Sequence, residues 1–299
     1  MTARMHDDEL VVGEDLVRRL LADQLPHLTD LPIRTFASTG TVNAIVRLGE
    51  DLYVRLPRVA AWADDLAKEL EWLPRLAPSL PLTVPEAVAV GEPTAEFPHV
   101  WAVFRWVHGS PYAVGAVEEA RAAADLGAFV AALRAAPAPP DAPAAGRRPL
   151  AELDAATRDA LQRSRHLLDA DAALAAWDRA LEAPTFSGSA PDRVWLHGDL
   201  LPPNVLVRAG HLEAVLDFGS VGVGDPAADT IAAWTMFSGT GRTAYRQALG
   251  VDEGTWEPAR GYALTQAALI VPYYERTNPG FSSMARRTIA HVLDDVAHG

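Results

Sequence analysis

Apolar positions along this chain repeat with two periods, and the switches between them outline its elements. Val12, Leu16, Val17, Leu20 and Leu21 recur at helical spacing, which predicts an amphipathic helix ending near Pro26. Residues 31–37 read as a strand, Ser38, Thr39, Gly40 and Thr41 as its turn, and residues 42–48 as the returning strand. A third strand follows Gly49, Glu50 and Asp51 and stops at Pro57. Residues 60–76 are helical, with Pro74 near the end, and residues 85–90 and 100–106 are the next strands. Residues 113–135 form an alanine-rich helix. The run APAPPDAPAAGRRP (136–149) lacks the apolar side chains to pack and reads as an exposed loop within a larger unit. Residues 150–181 give one or two helices and residues 183–192 a loop, while 243–249, 255–274 and 283–296 are the closing helices.

Residues 194–217, VWLHGDLLPPNVLVRAGHLEAVLD, carry the candidate chemistry. Residues 194–196 are a short apolar run leading into Gly198, and residues 205–207 and 212–216 are apolar runs separated by Ala209 and Gly210, the pattern of a hairpin. Such a hairpin brings its ends together, so Asn204 at one end is expected to face Asp217 at the other, with Asp199 on the loop just before. Carboxylate and amide oxygens gathered in this way are the hard donors that Mg²⁺ prefers. His197-Gly198-Asp199, four residues, Asn204 and then Asp217-Phe218-Gly219 follow the order of the kinase catalytic loop and its D-F-G. Each piece alone is common in turns; in this order they point to phosphoryl transfer.

HGDLLPPN followed by LDFGSVGVGDPAAD resembles the aminoglycoside phosphotransferase (APH) family, bacterial small-molecule kinases related in fold to protein kinases. The resemblance runs from about Ser38 to about Trp234 and more weakly beyond. It implies an α+β, bilobed, protein-kinase-like fold. A small antiparallel-sheet N-lobe with the nucleotide-binding sheet and hinge would span residues 1–107, and a mostly helical C-lobe with the catalytic loop and acceptor site residues 108–299. It further implies ATP (or GTP) with Mg²⁺, and transfer of the γ-phosphate to a hydroxyl of a small molecule, often an antibiotic. By the same resemblance Asp199 is the catalytic residue that takes the hydroxyl proton, and Asn204 and Asp217 hold the metal. Ser38, Thr39, Gly40 and Thr41 take the place of the phosphate-covering loop. At the hinge, the Arg105 carbonyl and the Val107 N–H would pair with the adenine edge, with Trp101 and Trp106 as packing residues. Arg55 stands where the fold normally places a lysine on its third strand, and Glu69 is its expected partner; Arg58 in that role, or neither arginine, stays open. His197 buttresses the loop and is not the base. Gly222 and Gly224 are expected to loosen the backbone before Asp225, which caps a helix running from Pro226 through Trp234. The closing helices make the acceptor wall, with Tyr245, Trp256, Tyr262, Tyr273, Tyr274, Glu275, Asp294 and Asp295 on the segments that face it.

Composition narrows these readings. Lys68 is the only lysine in 299 residues, so an arginine doing a lysine's work is in keeping with the chain. The absence of cysteine rules out disulfides and thiolate metal sites and fits a reducing compartment. The first fifteen residues are too acidic for a signal peptide, and residues 262–274 are too short to span a bilayer, so a cytoplasmic protein without membrane partners is expected. A net charge of −13 argues against a nucleic-acid partner and suits a cationic substrate, although the same acidity serves solubility. Only seven residues separate Asp217 from Asp225 and no A-P-E follows, which leaves no activation segment for a protein substrate. A kinase for an amino alcohol or sugar, and a non-catalytic nucleotide-binding protein, are the competing readings; Asp199, Asn204 and Asp217 together weigh against the second.

Overall fold

A computed structural model describes residues 10, 12–35, 43–183 and 193–298. The expected phosphate loop at Ser38, Thr39, Gly40 and Thr41, and residues 184–192, lie outside the described residues. The chain divides into two compact units: Met1–Pro78, Thr83–His108 and Val215–Gly219 form the first, and Ser79–Leu82, Gly109–Ala214 and Ser220–Gly299 the second.

The first unit contains α1 (Glu14–Gln24), β1 (Ile33–Thr35), β2 (Asn43–Leu48), β3 (Leu52–Pro57), α2 (Ala60–Leu76), β4 (Ala87–Gly91) and β5 (Trp101–Arg105). Its strands form an antiparallel sheet in the order β1-β2-β3-β5-β4. Side chains alternate between the two faces of a strand. Val54 and Leu56 of β3 therefore join the core that α1 covers with Val17, Leu20 and Leu21. Tyr53 and Arg55 belong to the other face, where Tyr53 packs with Phe104 and Leu66 of α2. Along α2 the buried positions are Leu66, Glu69, Trp72, Leu73 and Leu76, a helical stripe that carries Glu69 inward. Glu71 lies off that stripe and accepts from the exposed Arg75 at 3.4 Å.

The second unit begins with β6 (Ser110–Pro111), α3 (Glu119–Ala135), α4 (Leu150–Arg163) and α5 (Ala170–Glu182). It continues with β7 (Val194–Leu196), β8 (Val205–Arg208), β9 (His211–Val215) and β10 (Gly222–Gly224). It closes with α6 (Ala232–Thr235), α7 (Gly239–Leu249), α8 (Glu253–Tyr274) and α9 (Pro279–His298). Strands β6, β8 and β9 form one small sheet and β7 with β10 another. The β8–β9 turn has positive φ at Ala209 (51°) and Gly210 (78°), the primed-turn signature that matches hairpin twist. Buried residues occur all round α8, as its packing against α4, α5 and α9 requires. The Asp295 carboxylate of α9 accepts from the Trp234 and Trp256 indoles at 3.3 and 3.2 Å and from Arg242 and Arg260 at 3.2 and 2.7 Å, tying α9 to α6, α7 and α8. Among the described residues, no helix is long and apolar enough to cross a membrane.

Three expectations change. The alanine-rich helix starts at Glu119, six residues later than its composition suggests, because Gly115 sits at φ 85° and Glu118 caps the N–H groups of Ala120 and Arg121. Gly222 and Gly224 do not loosen the backbone; they form β10, antiparallel to β7. A Cβ on Gly222 would lie 2.5 Å from the Ala144 carbonyl carbon and the Ala145 nitrogen, so glycine admits a neighbouring strand of backbone there. That neighbour is the proline-rich segment, exposed by its side chains yet tied by its main chain: Val223 N–H donates to Pro143 O at 2.8 Å and Ala145 N–H to Val223 O at 3.0 Å. Finally, the segment after Pro226 begins as a 3₁₀ turn, Pro226–Ile231, before α6. Asp225 does cap it, accepting from Ala227 N–H at 2.9 Å.

Candidate active site

Asp199 and Asn204 belong to the second unit, and Arg55, Glu69 and Asp217 to the first. In the second unit, β7 delivers the chain into the His197–Asn204 loop with Trp195 and Leu196 fully packed. The loop is then anchored by one buried carboxylate. Asp229 Oδ2 accepts the His197 N–H at 2.5 Å and Oδ1 the Gly198 N–H at 2.8 Å, while the Asp229 carbonyl accepts the Tyr245 hydroxyl at 3.0 Å. Gly198 adopts φ 82°, and a Cβ there would approach the Ser220 carbonyl oxygen to 2.6 Å, so the turn requires glycine. His197 is fully buried, and its Nδ1 accepts the Asp199 N–H at 3.1 Å. Through this hydrogen bond His197 braces the loop. Asp229→Ala is expected to lower stability by about 2–4 kcal/mol, because two buried N–H groups lose a charged acceptor. Urea unfolding monitored by tryptophan fluorescence checks this, and an unchanged midpoint would contradict it.

The Asp199 carboxylate is held from three directions. Oδ1 accepts from Gln266 Nε2 at 2.8 Å and from an Arg147 Nη at 3.2 Å; Oδ2 accepts from Asn204 Nδ2 at 3.0 Å. The same Asn204 nitrogen reaches the Asp199 carbonyl at 2.9 Å. With its NH₂ group engaged on Asp199, Asn204 keeps its amide oxygen as the donor suited to a hard cation. Sequence reasoning missed Arg147 and Gln266; the resemblance implied that the segment from Asp225 to Asp229 buttresses the loop but gave the structural role to Asp225, whereas Asp229 is the residue that anchors it. Only Asp229 had a local signal, its place in D-P-x-x-D.

In the first unit Arg55 is buried, not a solvated strand residue. One Nη donates to Glu69 Oε2 at 2.8 Å and the other to Asp217 Oδ1 at 3.1 Å. With its amide turned to suit its neighbours, Asn43 Oδ1 accepts from Arg55 Nε at 3.0 Å and Nη2 at 3.1 Å. Burial alone would lower the guanidinium's pKa, but the Glu69 and Asp217 charges outweigh it and hold it above its ordinary value. Asp217 sits at φ 63°, a left-handed conformation Asp tolerates better than most residues, with its carboxylate about half exposed. A half-exposed carboxylate is one of the donor types of a Mg²⁺ site completed by phosphates. Among the described residues no group of three or more acidic or histidine side chains offers an all-protein metal cage.

At the segment expected to be the hinge, β5 ends at Arg105, whose N–H donates to Glu86 O at 2.9 Å and whose guanidinium pairs with the Glu86 carboxylate. Trp106 lies under Arg47 at 3.8 Å and edge-on to Tyr53, and Trp101 is fully buried, so both tryptophans pack. Val107 follows in irregular backbone. Of the residues on the segments expected to form an acceptor wall, Tyr245, Trp256, Tyr262 and Asp295 are taken up in packing and internal hydrogen bonds. Glu275 pairs with His166 at 2.9 Å and Asp294 with His298 at 3.3 Å, while Tyr273 is half exposed.

Arg55 also yields a test. A lysine at this position reaches one acceptor where the guanidinium fork reaches three. Arg55→Lys is expected to keep part of the activity, and Arg55→Ala to lose it together with about 3–5 kcal/mol of stability, as removal of the cation from a buried pair does. Equal activity in both variants, read beside their melting temperatures, would contradict the assignment.

Comparison with known proteins adds the following. A model described as the phosphotransferase enzyme family (APH) matches residues 34–264. No curated protein sequence matches the chain. Among solved structures, an APH(2″) enzyme in complex with GDP and kanamycin superposes with a TM-score of 0.71 at 18% identity, covering 94% of this chain and 99% of that one. The apoenzyme of macrolide 2′-phosphotransferase MphH from Brachybacterium faecium gives 0.59 at 24% identity, over 94% and 97% of the two chains. A streptomycin–ATP ternary complex of APH(2″)-IIa gives 0.58 at 14% identity, over 95% and 97%. At these identities the likeness establishes a bilobed, protein-kinase-like α+β fold.

Proposed function

Because the chain belongs to the phosphotransferase enzyme family, we propose that it moves the γ-phosphate of ATP or GTP, with Mg²⁺, onto a hydroxyl of a small molecule, an antibiotic of the macrolide or aminoglycoside type. The observation that carries this reading is the Asp199 carboxylate, fixed by Gln266, Arg147 and Asn204 on a loop anchored by a buried carboxylate.

Asp199 accepts a hydrogen bond from the acceptor hydroxyl. As the hydroxyl oxygen bonds to the γ-phosphorus and the bond to the β,γ-bridging oxygen breaks, the proton passes to Asp199. The transition state is loose, so a well-oriented carboxylate matters more than a strong base. Asn204 and Asp217 would hold the metal, which would neutralise charge on the phosphate oxygens. Arg55, kept cationic by Glu69, orients Asp217 and faces the phosphates in the place of the missing lysine. Ser38, Thr39, Gly40 and Thr41 cover the phosphates, and the backbone of Arg105 and Val107 receives the purine. Complexes of structural neighbours contain GDP with kanamycin, or ATP with streptomycin, which supports a nucleotide and a small acceptor.

A cleft of about 490 Å³ in the second unit bears on the acceptor. Tyr112, Trp234, Met236 and Met284 wall it, Pro203 of the catalytic loop lies at its edge, and Arg287 and His291 are its charged or titratable residues. None of its described lining residues is acidic, which fits an acceptor with an apolar body such as a macrolide. The net charge of −13 is the feature that keeps the cationic class in the test. Nucleotide consumption with Mg·ATP or Mg·GTP should be measured against macrolides, aminoglycosides, tuberactinomycin peptides, amino alcohols and sugars. Consumption raised by an antibiotic and abolished in Asp199→Asn is the expected result. A response confined to the amino alcohols or sugars would make the protein a metabolite kinase, and binding without consumption would make it a nucleotide-binding protein.

A further inference from the structure

The proline-rich segment 136–149 reads as an exposed loop in sequence, yet it forms a strap against the catalytic loop. Ala144 forms a parallel bridge with Val223 of β10, and Gly146 N–H donates to Ser220 O at 3.1 Å. Gly222 has no side chain where the strap's main chain passes, as the 2.5 Å approach to Ala144 and Ala145 requires. One residue beyond these ties, Arg147 turns inward with its side chain only 17% exposed. Its Nε donates to the Gly198 carbonyl at 2.7 Å and an Nη to Asp199 Oδ1 at 3.2 Å. The planar fork thus grips the loop backbone and the carboxylate of the neighbouring residue at once, which an ammonium on a flexible stem does not do. Its neighbour Arg148 is exposed, so the pair divides into one arginine aimed at the loop and one in solvent.

We propose that Arg147 is a positioning residue for phosphoryl transfer: it fixes the Asp199 carboxylate against the Gly198 backbone, and the strap exists to hold it there. Gln266, buried on α8, meets the same Asp199 oxygen at 2.8 Å and limits the carboxylate from the opposite element. Without Arg147 the loop keeps its Asp229 anchor and folds, but the carboxylate samples orientations in which it meets no hydroxyl. This inference rests on Asp199 as the proton acceptor. It extends that role to a segment that composition assigns to solvent.

The test uses the full chain, Mg·ATP, and water in the acceptor's place, with phosphate release as the readout. Arg147→Ala should lower kcat by about 10- to 100-fold, part of the roughly 10²–10⁴-fold that a positioned proton acceptor contributes, with KM for ATP within about two-fold of wild type. Arg147→Lys should fall between the two, and guanidinium ion should restore part of the Arg147→Ala rate. Asp199→Asn combined with Arg147→Ala should be no slower than Asp199→Asn alone, because the second residue acts only through the first. A merely structural arginine would instead lower the double variant further and raise KM with it, and that result overturns the inference. If wild type and Asp199→Asn differ while Arg147→Ala matches wild type, Arg147 has no part in positioning and the phosphotransferase reading stands. If Asp199→Asn releases phosphate as fast as wild type, the reading of Asp199 fails and this inference fails with it. Gly222→Val, which displaces the strap without touching Arg147, should reproduce the fall in kcat; a normal rate in that variant would overturn the role given to the strap.

Discussion

Asp199→Asn should reduce turnover by about two to four orders of magnitude, the range attributed to a positioned general base, while nucleotide affinity changes by no more than about two-fold. The side-chain shape is kept, so the loop should fold as before around Asp229 and His197. The ability to take a proton is lost. In addition the new amide NH₂ takes the place of one oxygen, and there it faces either the donors of Gln266 and Arg147 or that of Asn204, which are arranged for a carboxylate. Steady-state kinetics beside a nucleotide titration separate these effects. Near-normal turnover would leave Asp199 as a support of the loop and remove the base from the mechanism.

The second large effect is expected at Asp217. Replacing it by asparagine keeps a residue that tolerates the left-handed backbone at φ 63° and removes only the charge. Mg²⁺-dependent nucleotide binding should weaken by more than about 100-fold, beyond the roughly 10- to 100-fold typical of outer-shell partners of a metal. Asp217→Ala should show the same loss and, in addition, about 1–3 kcal/mol of instability from a strained backbone without the local side-chain support. Calorimetric titration with and without Mg²⁺ decides the matter. Unchanged affinity in Asp217→Asn would return this carboxylate to a role in fixing Arg55, its partner at 3.1 Å.

Much of this architecture is readable from local pattern, for reasons visible in individual elements. α2 runs over Ala60–Leu76, the span its periodicity predicts, because one stripe of large side chains must face the sheet. The same stripe carries Glu69 to the buried side, and the alternation of β3 carries Arg55 to meet it. The spacing of His197, Asp199 and Asn204 is legible because a short loop has few ways to close, and the loop's internal hydrogen bonds follow that spacing. Residues whose role depends on distant partners gave no such signal. Arg147 meets Asp199 across 52 positions and Gln266 across 67, and neither periodicity nor composition encodes such a pairing. Gly222 and Gly224 invited a reading as loose backbone, whereas the small residue serves the close approach of the strap. The start of α3 was misplaced because alanine favours helix throughout 113–135, and only Gly115 and the Glu118 cap settle where it begins.

The most direct test of the central claim is mass spectrometry of a macrolide and an aminoglycoside after incubation with the protein and Mg·ATP. The account predicts that one of them gains a single phosphoryl group on a hydroxyl with wild type and gains none with Asp199→Asn. Phosphorylation of neither compound, with ATP bound and intact, would contradict it.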